Sequence, residues 1–158
     1  MTDRELSIAI REIGLAHGMC NAYSSKWRED YTQDELIGLF ISGQDFCVEH
    51  DFPPLGFIKD NFSKEVLDAH HVYIDYKGDL DITESGTYIF LGDGDVTAVI
   101  SGFAVADIYA RHNTRLRAVS KDNAKVFVTM CDGSSFNGSE VYDSSTIKEY
   151  KNRKKKEG

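Results

Sequence analysis

The feature that most constrains the fold is a ten-residue spacing in the second half of the chain. Val96, Ala106, Leu116, Val126 and Phe136 fall in one column, and Ile147 rejoins it after one extra residue. A turn-forming group stands ahead of each: Gly92-Asp93-Gly94, Gly102, His112-Asn113, Asp122-Asn123, Asp132-Gly133 and Asp143-Ser144. Side chains alternate faces along a strand, so only an even step returns an apolar residue to the same face. Two positions further on runs a second small or apolar column, Ala98, Ile108, Ala118, Val128 and Gly138; between the two lie Thr97, Asp107, Arg117, Phe127 and Asn137. The two apolar columns are read as inward-facing and the mostly polar one as outward-facing.

Regular short strands with Gly, Asn and Asp at the corners suit a β-solenoid (parallel β-helix) or a small antiparallel β-sandwich. Ten residues are too few for a whole coil, so two decapeptides, about twenty residues, make one, and the region holds three or four coils. Apart from Asp132-Gly133 the strong two-residue hairpin signals are missing. The solenoid is therefore the expected architecture and the sandwich the alternative.

Residues 1–70 read differently. Leu6, Ile10, Ile13 and Leu15 recur at helical spacing over residues 3–17, with Gly18 placed to stop the helix. Tyr23 and Trp27, four apart, suggest a second short helix packed on the first. Thr32-Gln33-Asp34-Glu35 is a capping box opening a helix that runs to Gly43. A turn-rich piece over 44–50 and the Pro53-Pro54 corner follow, then one helix from Leu55 that Val66 and Leu67 continue on the face of Phe62. From His71 the strands begin: 72–76, 80–82 and 87–91, with Lys77-Gly78-Asp79 and Ser85-Gly86 as separators. Helices first and strands afterwards make the chain α+β: a helical domain or cap over 1–70, a solenoid over 71–150, and a basic, disordered tail over 151–158.

Charge narrows the function. The chain carries a net −8, divided as −7 over residues 1–70, −5 over 71–147 and +4 over 148–158. An acidic body opposes direct nucleic-acid binding, which must neutralise phosphates. No run is long enough to span a membrane. The start, Met1-Thr2-Asp3-Arg4-Glu5, lacks the pattern of a secretory signal, so the expected compartment is the cytoplasm. Three widely spaced cysteines do not form a disulfide framework.

Few constellations point to chemistry. His17-x-x-Cys20 and Cys47-x-x-His50 are pairs whose spacing suits tetrahedral zinc, although neither is a Cys-x-x-Cys knuckle. Asp93-Gly94-Asp95 reads as a turn rather than a calcium loop, and Gly92-x-Gly94 lacks the helix a phosphate cradle needs. His71 and Asp75 would share a strand face beside His70 with no adjacent nucleophile, and His112, Cys131 and Ser134-Ser135 are corner residues. No catalytic residue, cofactor or metal is assigned.

The run Asp122-Asn123-Ala124-Lys125-Val126-Phe127-Val128, with its neighbours at the same spacing, resembles the short-coil β-solenoids of bactofilin-type polymer-forming proteins. It is also similar to proteins of bacterial mobile elements and phages in which an Asp-Asn-Ala-x-Val repeat follows a small helical region. The resemblance covers about half the chain; its motifs are structural, and the helical domain departs from bactofilins, which weighs against filament formation. The expected function is a non-enzymatic structural or interaction protein with a protein partner, a monomer or at most a small homo-oligomer such as a dimer. The alternative is an acidic nucleic-acid mimic that inhibits a DNA-binding enzyme. A solenoid acyltransferase would repeat every six residues and fits least.

Overall fold

A computed structural model describes residues 2–20 and 24–152, which fall into two compact units, Met1–His70 and His71–Gly158. Among the described residues the first holds five helices: α1 (Asp3–Ala16), α2 (Gln33–Ser42), α3 (Gln44–His50), α4 (Leu55–Asn61) and α5 (Lys64–Ala69). Both α1 and α2 open with complete capping boxes, Thr2 with Glu5 and Thr32 with Glu35, so free amides at each start are satisfied by side chains. Gly18, at φ 89°, follows α1 in the left-handed conformation. Among the described residues no helix is long and apolar enough to cross a membrane.

Several local expectations are corrected here. Leu15 is exposed, because it lies about 200° around the helix from Ile13. Residues 44–50 are helical, since Gly43 stays at φ −97° and does not break the chain, and buried Cys47 and Val48 anchor the added turn. The single helix expected from Leu55 is two, because Phe62 is extended and Ser63 caps a new start by accepting from the Val66 amide. Tyr23 lies outside the described residues. Trp27 does reach α1: its indole N–H donates to the Ser7 carbonyl and hydroxyl, both at 3.0 Å.

The second unit is a parallel β-solenoid of about four coils, and the antiparallel sandwich is excluded. Its nine strands are β1 (Val72–Ile74), β2 (Lys77–Ile82), β3 (Gly86–Leu91), β4 (Asp95–Ile100), β5 (Val105–Ala110), β6 (Arg115–Ser120), β7 (Lys125–Cys131), β8 (Ser135–Val141) and β9 (Thr146–Asn152). Odd strands stack as one sheet and even strands as the other, every pair parallel. The pairings Asp95↔Arg115 and Val105↔Lys125 give a coil of 20 residues, two repeats of ten. Lys77-Gly78 opens β2 rather than separating strands, because the bend comes earlier, at Asp75 with φ 53°. The solenoid also runs on to Asn152, two residues past its expected end. The tail over 153–158 lies outside the described residues.

The inward columns are as expected through β7, but in β8 the register slips so that Ser139 rather than Gly138 pairs with Ala118, and Gly138 leaves the second column. Val96, Ala98, Ala106, Ile108, Leu116, Ala118, Val126 and Val128 are all buried in one apolar cluster, with Phe136 and Ile147 half-buried against it at the last coil. Large residues such as Val96, Ile100, Ile108 and Leu116 and small ones such as Ala98, Ala106, Ala110 and Ala118 together make up this one narrow core. Asp107, Arg117 and Lys125 are exposed on the outside.

The column predicts the response to a buried charge. Val126→Asp places a carboxylate where no cation can follow, and we expect a loss of about 3 kcal/mol or more in urea unfolding of the second unit. Lys125→Asp, on the outer face one residue away, should change stability by about 0.5 kcal/mol or less.

Candidate functional site

The corners are where polar side chains gather, and the backbone dictates why. Along the edge that carries the chain from even to odd strands, Gly102, Asp122 and Asp143 hold φ 69°, 59° and 58°. Along the opposite edge His112 and Asp132 hold 58° and 56°, and Gly92 holds 81°. L-residues with a Cβ avoid this region, and Asp and Asn enter it most readily. Five of these corners, all but that at Gly92, close a tight turn in which the amide of Ala104, Thr114, Ala124, Ser134 or Ser145 donates to the carbonyl three residues earlier.

The corner side chains then link coil to coil. The amide of Gly102 donates to Asp122 Oδ2 at 2.9 Å, and that of Asp122 to Asp143 Oδ2 at 3.0 Å. On the other edge Gly92 donates to His112 Nδ1 at 3.1 Å and His112 to Asp132 Oδ2 at 3.4 Å. Each acceptor belongs to the coil after its donor, so the rungs run the length of the edge. Gly92 has a second constraint: a Cβ there would lie 2.2 Å from Asp75 Oδ1, which accepts from the Asp93 amide. Buried Arg111 adds an ion pair to Asp132 at 3.5 Å.

This accounts for most of the side chains that sequence reasoning weighed as chemical. His112 serves as an acceptor, so its proton sits on Nε2. Ser134 Oγ accepts from the Cys131 amide, and its single proton lies between the carbonyls of Cys131 and Ala110, 2.6 and 3.0 Å away. Asp93 and Asp95 face a cation from the chain itself, with Arg115 3.1 and 3.9 Å away. His71 does not share a strand face with Asp75, because it precedes β1 at φ 61°; its ring lies 4.4 Å from that of Tyr88, and Nδ1 is 3.4 Å from the Tyr73 hydroxyl. His70 pairs instead with Asp34 at 3.0 Å.

The four zinc candidates are brought together only in part. The rings of His17 and His50 lie 5.9 Å apart, each beside Phe52 or Phe46. Cys47 is buried with Sγ directed at the Phe40 carbonyl at 3.9 Å, whereas Cys20 is exposed. Among the described residues no group of three or more His, Cys, Asp or Glu side chains is arranged to hold a metal ion.

A different cluster was missed by the sequence reading. Among the described residues six large hydrophobic side chains are exposed, and four of them, Phe103, Val105, Val141 and Tyr142, lie on the even-to-odd edge of the solenoid. Phe103 is 81% exposed at the tip of its turn. Tyr142 occupies the corner two coils on, about 10 Å away at the parallel-strand spacing. Lys121 and Lys125 stand on the coil between. The Tyr142 hydroxyl donates to Glu140 Oε2 at 3.0 Å, and this hydrogen bond, with the carboxylate charge, raises its pKa and keeps the phenol neutral. The signal was present in the register: Phe103 and Val105 occupy positions held by Asn123 and Lys125 one coil later, so they break an otherwise polar rule at the corner.

No family model matches this chain, and no curated protein or solved structure is similar to it.

The rungs make a graded prediction. Asp122→Ala removes an acceptor and puts an unfavourable residue at positive φ, and should cost about 1–3 kcal/mol by chemical denaturation. Asp122→Asn keeps both the conformation and an acceptor oxygen, and should recover most of that loss.

Proposed function

We propose that this chain is a non-enzymatic interaction protein of the cytoplasm, in which the solenoid serves as a rigid ladder presenting one edge to a protein partner. The observation that carries the reading is the concentration of Phe103, Val105, Val141 and Tyr142 on a single straight edge, with Lys121 and Lys125 between them. Aromatic and aliphatic side chains surrounded by polar ones are the composition of a binding patch. The corner rungs hold them at fixed spacing, so little order has to be imposed on binding. The interleaving of Arg115 with Asp93 and Asp95 favours this reading over nucleic-acid mimicry, which needs an unbroken acidic stripe. A phage or mobile-element setting rests on the resemblance of the run over 122–128.

Photo-crosslinking in the source cells tests the edge. A photoreactive residue at position 103 should give one discrete adduct that is lost when Tyr142→Asp is added, and the same residue at Asp107, on the outer face of β5, should give none. Equal adducts at both positions, or none at either, would remove the reading.

The assembly state proposed with it is a monomer or a closed dimer. The last coil opposes endless stacking, because the inward positions of β9 continue from Ile147 to Glu149 and Lys151, opposite Val128 and Met130 of the coil before. The pairing of β6 with β8 also slips between Leu116 and Ala118, which bends the final even strand. Light scattering on the full chain should therefore find one or two copies over a wide concentration range. Filaments would contradict the stop.

A further inference from the structure

The first unit encloses a cavity of about 270 Å³ whose walls are almost entirely carbon. We propose that this cavity is a binding site for an uncharged, hydrocarbon-like small molecule. Five aromatic side chains supply much of the wall, Trp27, Phe40, Phe46, Phe52 and Phe62, and they come from every helix-bearing stretch between Trp27 and Phe62. Among the described residues no charged side chain lines the space, and the polar side-chain groups on its wall are the indole N–H of Trp27, already donated to Ser7, and the thiols of Cys20 and Cys47, the latter directed at the Phe40 carbonyl.

This lining decides the ligand class by exclusion. A phosphate, a sugar or an amino-acid zwitterion would leave its charges or hydroxyls buried without partners, at a cost that burial of its few carbons cannot offset. Size narrows the class further. An apolar cavity of about 150 Å³ holds benzene, so this one suits about ten to twelve non-hydrogen atoms. Close-packed interiors contain few voids larger than a water molecule, so a space of this size is out of character for a packing fault.

The way in is marked by exposure. Gly18 and Cys20 line the cavity and are themselves exposed, so the mouth lies at the loop after α1. Met19 sits between them, and its Cε would come within 2.3 Å of a Cβ on Gly14. The glycine makes room for a long, unbranched and adaptable side chain at the entrance.

Trp27 is the sole tryptophan of the chain and a wall of the site, so it reports occupancy directly. The full chain is titrated with 1-decanol and with naphthalene, following Trp27 emission and thermal unfolding, with glucose as a polar probe of similar size. The expected result is a saturable emission change at roughly 10–100 μM for both hydrocarbon probes, a higher unfolding temperature in their presence, and no response to glucose. Filling the cavity with Cys47→Phe, or with Leu39→Phe where the first variant does not fold, should weaken binding about tenfold or more and leave Trp27 shielded without ligand. Should neither variant fold, protection of Cys20 from a maleimide by 1-decanol in the unaltered chain decides. Absence of saturable binding, an equal response to glucose, binding undiminished in a folded filled variant, or unprotected Cys20 would each overturn the proposal.

Discussion

Every coil of the solenoid depends on a corner that an L-residue adopts reluctantly. A parallel ladder requires each corner to turn the chain sharply at the same place in every coil, or the strands above lose register. Gly102, Asp122 and Asp143 meet that demand on one edge, and Gly92, His112 and Asp132 on the other. The local cost of positive φ at Asp and His is offset because the same side chain, once in that conformation, accepts the amide of the neighbouring corner. The strained residue and the stabilising bond are therefore one feature. His112 shows that the acceptor rather than the acid is what the position needs, since an imidazole nitrogen fills it as a carboxylate does one coil later.

The same register explains how the ladder ends. Parallel stacking is open by nature, because each strand leaves an unpaired edge for the next. In the interior, inward positions are apolar through β7 except at Ser120, whose hydroxyl is paired with that of Ser145; in β9 they become Ile147, Glu149 and Lys151. A further copy stacked on this coil would have to bury both charges against apolar partners, which is among the costlier substitutions a core can carry. Where the inward column turns polar, the coil stops being a template.

How much of this was legible in the sequence depended on repetition. The column from Val96 to Val128 announced both the faces and the coil length, because five nearly equivalent segments vote on one register. Phe136 and Ile147 belonged to the column but sit half-buried, since β8 and β9 are the outer strands of their sheets among the described residues. The first unit offered no such redundancy. The capping box at Thr32 located one helix start, whereas the helix over 44–50 and the break at Phe62 were settled by burial of Cys47, Val48 and Phe62, which no local pattern displays. The zinc pairs were decided by the same tertiary packing: spacing along the chain brought His17 near His50 but left Cys20 exposed and turned Cys47 to a carbonyl.

The two units also differ in how well they can fill their interiors, and this bears on where ligands go. In the solenoid each inward residue stacks in register on its counterparts in the coils above and below, and these residues form one continuous buried cluster. Short helices and the segments joining them, carrying Phe40 and Phe46 on the former and Trp27, Phe52 and Phe62 on the latter, have no such register. Their rigid rings meet at unequal angles; the Phe46 and Phe52 rings, with centroids 5.7 Å apart, are inclined at 75°. Edge-to-face contacts of that kind are favourable in themselves, yet they hold ring faces apart and leave space between. The repeat thus supplies a dense scaffold with its polar groups engaged in rungs, and the irregular aromatic unit supplies the one kind of interior in which an apolar guest gains contacts that the protein's own side chains do not make.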